Sequence, residues 1–225
     1  MKMPVRWVLL VAGLLALALP AWAGNEIPDM APCQVCSVNG EGHAPRKVAA
    51  ASMVDGVTYY FCSKRCQAAF NADPSAYILP PFPWPAPRAS VRRLDGVDLP
   101  LEGPRGKLTL IHFWKAAGCA PCDEAVPGFE DLLRQRGYRG LAVLGIALDA
   151  DRKAVEAYLH QHKLTYPVAM DTGEEPAWAA FRVKTLPTAF LIDRTGQVVG
   201  RWAGKSGPAA MLAAIDSVLA TTPRR

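Results

Sequence analysis

Six cysteines fall in three pairs along this 225-residue chain, and each spacing suits particular chemistry. Cys119-Ala-Pro-Cys122 sets two thiols about one helical turn apart. At a helix N-terminus, unpaired N–H groups and the helix dipole stabilise a thiolate, the attacking species in disulfide exchange. Cys119, nearer that end, is the expected nucleophile. Cys122, one turn in, is the thiol expected to resolve the mixed disulfide. Pro121 stiffens the short loop between them. A structural disulfide or a metal knuckle has the same spacing, so the flanking elements must decide.

The other four are Cys33-x-x-Cys36 and Cys62-x-x-x-Cys66. The first pair reads as a knuckle; the second, at i and i+4, reads as one face of a helix. Four thiolates in a tetrahedron suit zinc at about 2.3 Å, and soft sulfur also suits Cu(I). His43 is a candidate further ligand or a solvated loop histidine. The alternative for Cys33, Cys36, Cys62 and Cys66 is a pair of structural disulfides stapling a small secreted unit. Both readings stand at this point.

The compartment bears on that choice. Residues 1–23 carry Lys2 and Arg6, an apolar run from Trp7 to Leu19, and an Ala21-Trp22-Ala23 ending, the parts of a secretory signal peptide. The run falls short of the roughly 20 apolar residues that span a bilayer. Cleavage after Ala23 is expected, with an uncleaved membrane anchor as the alternative, and no later segment reads as a span. The mature chain is expected to be periplasmic or otherwise extracytoplasmic, where disulfides persist. With 51% hydrophobic and 20% charged residues, the chain is not a disordered one. A net charge of +5 without a dense basic stripe argues against nucleic acid as a partner.

The elements that must position these thiols divide into two units. In residues 24–80, strands Val48–Val54 and Val57–Phe61 flank Asp55-Gly56, a type I′ hairpin signal. A helix follows from Cys62 to Phe70, and Asp73-Pro74 offers a cap and first-turn proline for another. About 57 residues rarely build a sufficient core without disulfides or a metal. Residues 81–89 are a proline-rich linker, read as a polyproline II spacer, although Phe82 and Trp84 could instead pack on a neighbour. In residues 90–225, strands and helices alternate. Strands are expected at 107–114, 141–148, 168–170, 189–193 and 198–202; helices at 120–136, 151–162, 174–181 and 208–219. That order gives an α/β sheet with helices on both faces. It sets Cys119 and Cys122 between a buried strand and a helix, which favours the redox reading.

Leu110-Ile-His-Phe-Trp114, Cys119-Ala-Pro-Cys122 and Thr185-Leu-Pro187-Thr-Ala-Phe-Leu-Ile-Asp193 together resemble the thioredoxin fold, and more narrowly the TlpA/ResA/CcmG-like thiol–disulfide oxidoreductases, over residues 90–222. The resemblance implies a redox-active Cys119–Cys122 disulfide, and a cis Pro187 facing it with the backbone beside Leu186 pairing with substrate. It also implies protein thiol or disulfide substrates, with cysteines of apocytochrome c or copper-site proteins as candidates, and a membrane-borne electron donor. Three departures stand out. Gly118 replaces the usual tryptophan before the first cysteine, one extra residue follows Trp114, and Ala125 replaces a common buried glutamate. Glu124 and His112 are the remaining candidates for proton acceptor.

Tyr60-Phe61-Cys62-Ser63-Lys64-Arg65-Cys66, Phe70 and Asp73-Pro74-Ser75-Ala76-Tyr77 resemble the YHS/TRASH-type heavy-metal-binding domains, which implies a small treble-clef-like α+β unit over residues 30–80. Two functions follow as expectations. One is a protein-disulfide reductase; the other is a copper- or zinc-handling protein in which the early cysteines are the main functional unit.

Overall fold

The computed structural model describes residues 27–102, 106–149, 151–204 and 206–221. The expected signal segment, residues 1–23, lies outside them.

The first unit holds β1 (Met30–Ala31), α1 (Gln34–Val38), β2 (Arg46–Lys47), β3 (Ala50–Val54), β4 (Val57–Phe61) and α2 (Lys64–Ala72). β1 pairs with β2, and β3 with β4, both antiparallel. Asp55 and Gly56 turn the hairpin at φ 49° and 77°, the two positive values a type I′ turn needs. The knuckle is the first turn of a helix, with Cys33 as N-cap of α1 and Cys36 inside it. Cys62 lies outside α2, contrary to the sequence expectation. Ser63 takes the cap position, its Oγ accepting the Cys66 N–H at 3.2 Å. A serine that satisfies a first-turn amide starts the helix after itself. Phe61 and Phe70, ring centroids 5.0 Å apart, fill the small core with Val35 and Tyr77.

The second unit is built on one eight-stranded mixed sheet. Its elements are β5 (Trp84–Pro85), β6 (Ser90–Arg93), β7 (Asp98–Pro100), β8 (Leu108–Trp114), α3 (Ala120–Arg136), β9 (Leu141–Ala147), α4 (Arg152–His162), β10 (Val168–Met170), α5 (Ala177–Ala180), β11 (Thr188–Ile192), β12 (Gln197–Ala203) and α6 (Leu212–Ala220). The strand order is β5-β12-β11-β8-β9-β10-β6-β7, with β8, β9 and β10 parallel. Every residue of β8 is buried, as the near-continuous apolar run of a central parallel strand requires. Leu108, Leu110 and Trp114 pack with residues of α3, α4 and α6; Ile111 and Phe113 pack with Ala177 of α5 and with Phe181 and Phe190. Among the described residues the second face therefore carries one short helix, α5.

The stretch read as a polyproline spacer is tied to this sheet. Trp84 and Pro85 pair with Val198 and Gln197 of β12, and the Trp84 ring stands edge-on to Phe190. Pro85 costs no ladder bond there, because an edge strand leaves one row of amides unused.

The two units meet closely. Arg201 Nη1 donates to the Val38 carbonyl at 2.8 Å. Arg182 Nη1 donates to the Ser75 carbonyl at 2.8 Å, and Lys184 pairs with Asp73 at 2.9 Å. A Cβ on Gly40 would lie 1.8 Å from the Ala203 carbonyl oxygen, so the two backbones touch where only glycine fits.

Candidate active site and four-cysteine cluster

β8 and α3 together position the Cys119–Cys122 pair. β8 delivers the chain to the sheet end, and five residues later Cys119 caps the 17-residue α3, its carbonyl accepting the Cys122 and Asp123 amides. The two cysteines form a disulfide with their Cα atoms 5.2 Å apart. Cys119 is half-buried and Cys122 wholly buried. One sulfur is open to an incoming partner, and the other is reachable chiefly through the first.

The loop before Cys119 is held by a residue the sequence gave no sign of. Asp149, just past β9, accepts the Ala116 and Ala117 amides at 2.8 and 3.3 Å. Gly118 has φ +69°, a left-handed conformation that tryptophan disfavours, so its departure from the family pattern is a matter of backbone. The Leu186–Pro187 peptide is cis, Pro187 is buried, and its carbonyl accepts the Gly204 amide at 2.8 Å.

The two proton-acceptor candidates lie in opposite settings. Glu124 is exposed. His112 is wholly buried, stacked on Phe129 with centroids 4.1 Å apart, and neither ring nitrogen has a hydrogen-bond partner among the described residues. Burial holds its pKa down to about 3, so the ring is neutral at physiological pH. Ala125 is buried where the family often has glutamate.

The four early cysteines come together. Their sulfurs all lie within 4.8 Å of one another. Cys36 is 3.6 Å from Cys62 and 4.0 Å from Cys66, and Cys62 is 3.8 Å from Cys66. A tetrahedral site with metal–sulfur bonds of about 2.3 Å has sulfur–sulfur edges of about 3.8 Å. The donor set therefore fits a soft or borderline cation. Burial pushes the Cys36 thiol up, and the neighbouring cysteines push it further. At Cys33 burial also opposes ionisation, but hydrogen bonds from the Cys36 and Cys62 backbones outweigh it and bring the thiol down to about 7. Several thiolates at this spacing need positive charge. Arg46 supplies some, its Nη1 lying 3.7 Å from Cys36 Sγ. Sequence reasoning did not single out Arg46, whose neighbourhood to Cys36 is created only by the fold. His43 is exposed and is not among the clustered ligands.

The second unit has solved counterparts. A thioredoxin-family thiol:disulfide interchange protein from Chlorobium tepidum TLS superposes with a TM-score of 0.53 at 28% identity, covering 63% of this chain and 99% of that one. StoA from Bacillus subtilis shares the fold with a TM-score of 0.50 at 24% identity, covering 59% and 99%. Thiol-disulfide oxidoreductase ResA of Bacillus thuringiensis (strain Al Hakam) is 35% identical over 122 residues, which cover 53% of this chain and 68% of the relative. Fold and relatives define an enzyme, a thioredoxin-fold thiol–disulfide oxidoreductase. The chain belongs to the AhpC/TSA family, which matches residues 84–201. That match begins beyond the four-cysteine unit.

Proposed function

We propose that the chain is an extracytoplasmic protein-disulfide reductase, with residues 1–23 as a signal peptide and residues 90–225 as the catalytic domain. The observation that carries this reading is the asymmetry of the Cys119–Cys122 pair, one sulfur half-open at the N-terminus of α3 and the other enclosed. In the reduced enzyme the Cys119 thiolate attacks a substrate disulfide and releases one substrate thiolate, leaving a mixed disulfide. Cys122 then attacks the Cys119 sulfur, releasing the second substrate thiol and restoring the Cys119–Cys122 disulfide. Two electrons pass to the substrate, and a membrane-borne donor returns them. The cis Pro187 segment flanks the approach, with the backbone beside Leu186 offered to the substrate. Cysteines of apocytochrome c or of copper-site proteins are the substrate classes this reading names.

Residues 24–80 are proposed as a treble-clef-like, YHS/TRASH-like unit in which Cys33, Cys36, Cys62 and Cys66 would hold one Zn(II) or Cu(I), joined through the 81–89 segment. What supports it is the match between the sulfur spacing and a tetrahedral edge. Insulin reduction tests the main reading. Wild-type protein should precipitate the insulin B chain with dithiothreitol as electron source, and Cys119→Ser should lower the rate to that of dithiothreitol alone. Equal rates for the two proteins would refute it, and with tight stoichiometric metal binding would favour a metal-handling protein instead.

A further inference from the structure

The reductase reading leaves the redox chemistry of the four clustered thiols unassigned. Three observations bear on it. First, the sulfurs are close enough to oxidise. At 3.6–4.0 Å they stand about 2 Å beyond a disulfide bond length, a gap that small side-chain movements close. Second, access is one-sided. Cys33 and Cys36 are 2% and 3% exposed, whereas Cys62 and Cys66 are half-buried, so an incoming thiolate meets Cys62 or Cys66. Third, the unit is docked at the active-site end of the sheet. Gly40 abuts Ala203 at the end of β12, Ala203 pairs with Thr188, and Thr188 pairs with Phe113, the residue before the end of β8. Yet neither Cys119 nor Cys122 is among the clustered sulfurs. Arg201, Arg182, Lys184 and Gly40 hold the units together, the Cys119–Cys122 pair forms its own disulfide apart from the cluster, and the half-buried Cys62 and Cys66 can face another molecule.

We propose that the oxidised form of this cluster is a substrate for the Cys119–Cys122 dithiol of a second copy of the chain. The proposal rests on the reductase reading. The Cys119 thiolate of one copy attacks Cys62 or Cys66 Sγ in a cluster disulfide of the other. The partner sulfur leaves as a thiolate and takes a proton from water. Cys122 of the attacking copy displaces the second cluster sulfur and closes the Cys119–Cys122 disulfide. Two electrons move from one dithiol to one cluster disulfide, and the cluster regains thiols able to bind a cation.

Two tagged versions of the mature chain, residues 24–225, test this. The attacker is a reduced Cys122→Ser variant, and the acceptor is a Cys119→Ser/Cys122→Ser variant with its cluster oxidised. The expected product is an adduct between the two chains, mapped by mass spectrometry to Cys119 joined to Cys62 or Cys66, whose yield rises with concentration. Reduced wild-type enzyme should also restore acceptor thiols on the order of tenfold faster than dithiothreitol at equal concentration. This second readout does not depend on how the attacker variant folds. If Cys122→Ser traps insulin chains but forms no adduct, and wild type restores thiols no faster than dithiothreitol, the inference is overturned while the reductase reading stands. If a Cys122→Ser chain whose own cluster is oxidised links Cys119 to Cys62 or Cys66 within one chain, independent of concentration, the second-copy step is overturned. Failure to trap insulin and cluster alike, with no thiol restoration, removes both readings.

Discussion

Gly40→Ala should release the four-cysteine unit from the sheet. The residue has φ +78°, and an added Cβ would sit 1.8 Å from the Ala203 carbonyl oxygen, well inside any van der Waals contact. Neither side is the tip of a flexible side chain, so the backbones must part. Few contacts oppose that. The Arg201–Val38 hydrogen bond is worth about 1.5–3 kcal/mol as a charge-assisted bond. The Lys184–Asp73 pair is partly exposed, at 30% and 43%, and worth about 0–1 kcal/mol. Undocking also returns water to Arg201 Nε and Nη2, which have no partner among the described residues. The control is Gly56→Ala, in the same unit at φ +77° with nothing within 4 Å of the new Cβ. It carries only the left-handed backbone cost of about 1–2 kcal/mol. Calorimetry on the whole mature protein separates the two. Gly56→Ala should keep the wild-type transition pattern with its midpoint lowered by about 4–8 °C per kcal/mol for a unit of this size. Gly40→Ala should split off an early transition for residues 27–80 and expose the 78–84 segment to protease. Matching melting profiles and protease patterns for the two variants would refute the argument that Gly40 holds the units together.

Two further predictions follow from buried or clustered charge. Because the folded-state pKa of His112 lies near 3, below its ordinary 6.5, the unfolded chain binds a proton between those values that the folded chain does not. Stability from this residue is therefore complete above pH 6.5 and is lost as pH falls, by up to about 1.4 kcal/mol per pH unit. His112→Phe, which can keep the stack on Phe129, should flatten the denaturation profile between pH 6.5 and 4.5, above the range where Asp73, Asp193 and Asp216 titrate; an unchanged slope would count against it. Arg46→Ala should weaken zinc or Cu(I) binding by about 10–100-fold in competition with a chelator, since it removes a group that bonds a ligand sulfur.

Much of the scaffold could be read from local chemistry. The expected helix 120–136 and the hairpin at Asp55-Gly56 stand where proline, cysteine and turn residues put them. The strands at 90–93 and 98–100 were missed although Asp95-Gly96 turns between them and carries the same kind of hairpin signal. Proline density at 80–87 masked β5, because the feature that suits a spacer also suits a sheet edge. The expected helix 174–181 shrinks to Ala177–Ala180, with Pro176 at its N-cap. Of the site itself, cysteine spacing marked the six thiols. Asp149, Arg46 and Arg201 carry no local signature, since each acts on residues 10 or more positions away in the chain.

Both margins of the eight-stranded sheet are finished in the same way. On one side the outermost strand is two residues long and contains Pro85; on the other it is three residues long and contains Pro100. A bare sheet edge is a template for stray chains, and short proline-bearing strands deny it a continuous row of amide donors. Under the proposed reductase function the protein meets partly folded polypeptides, and there this matters. Such chains are blocked from adding themselves as further strands and are left to engage at the sheet end, where the thiols are, so that an encounter finishes in exchange and release rather than in co-aggregation.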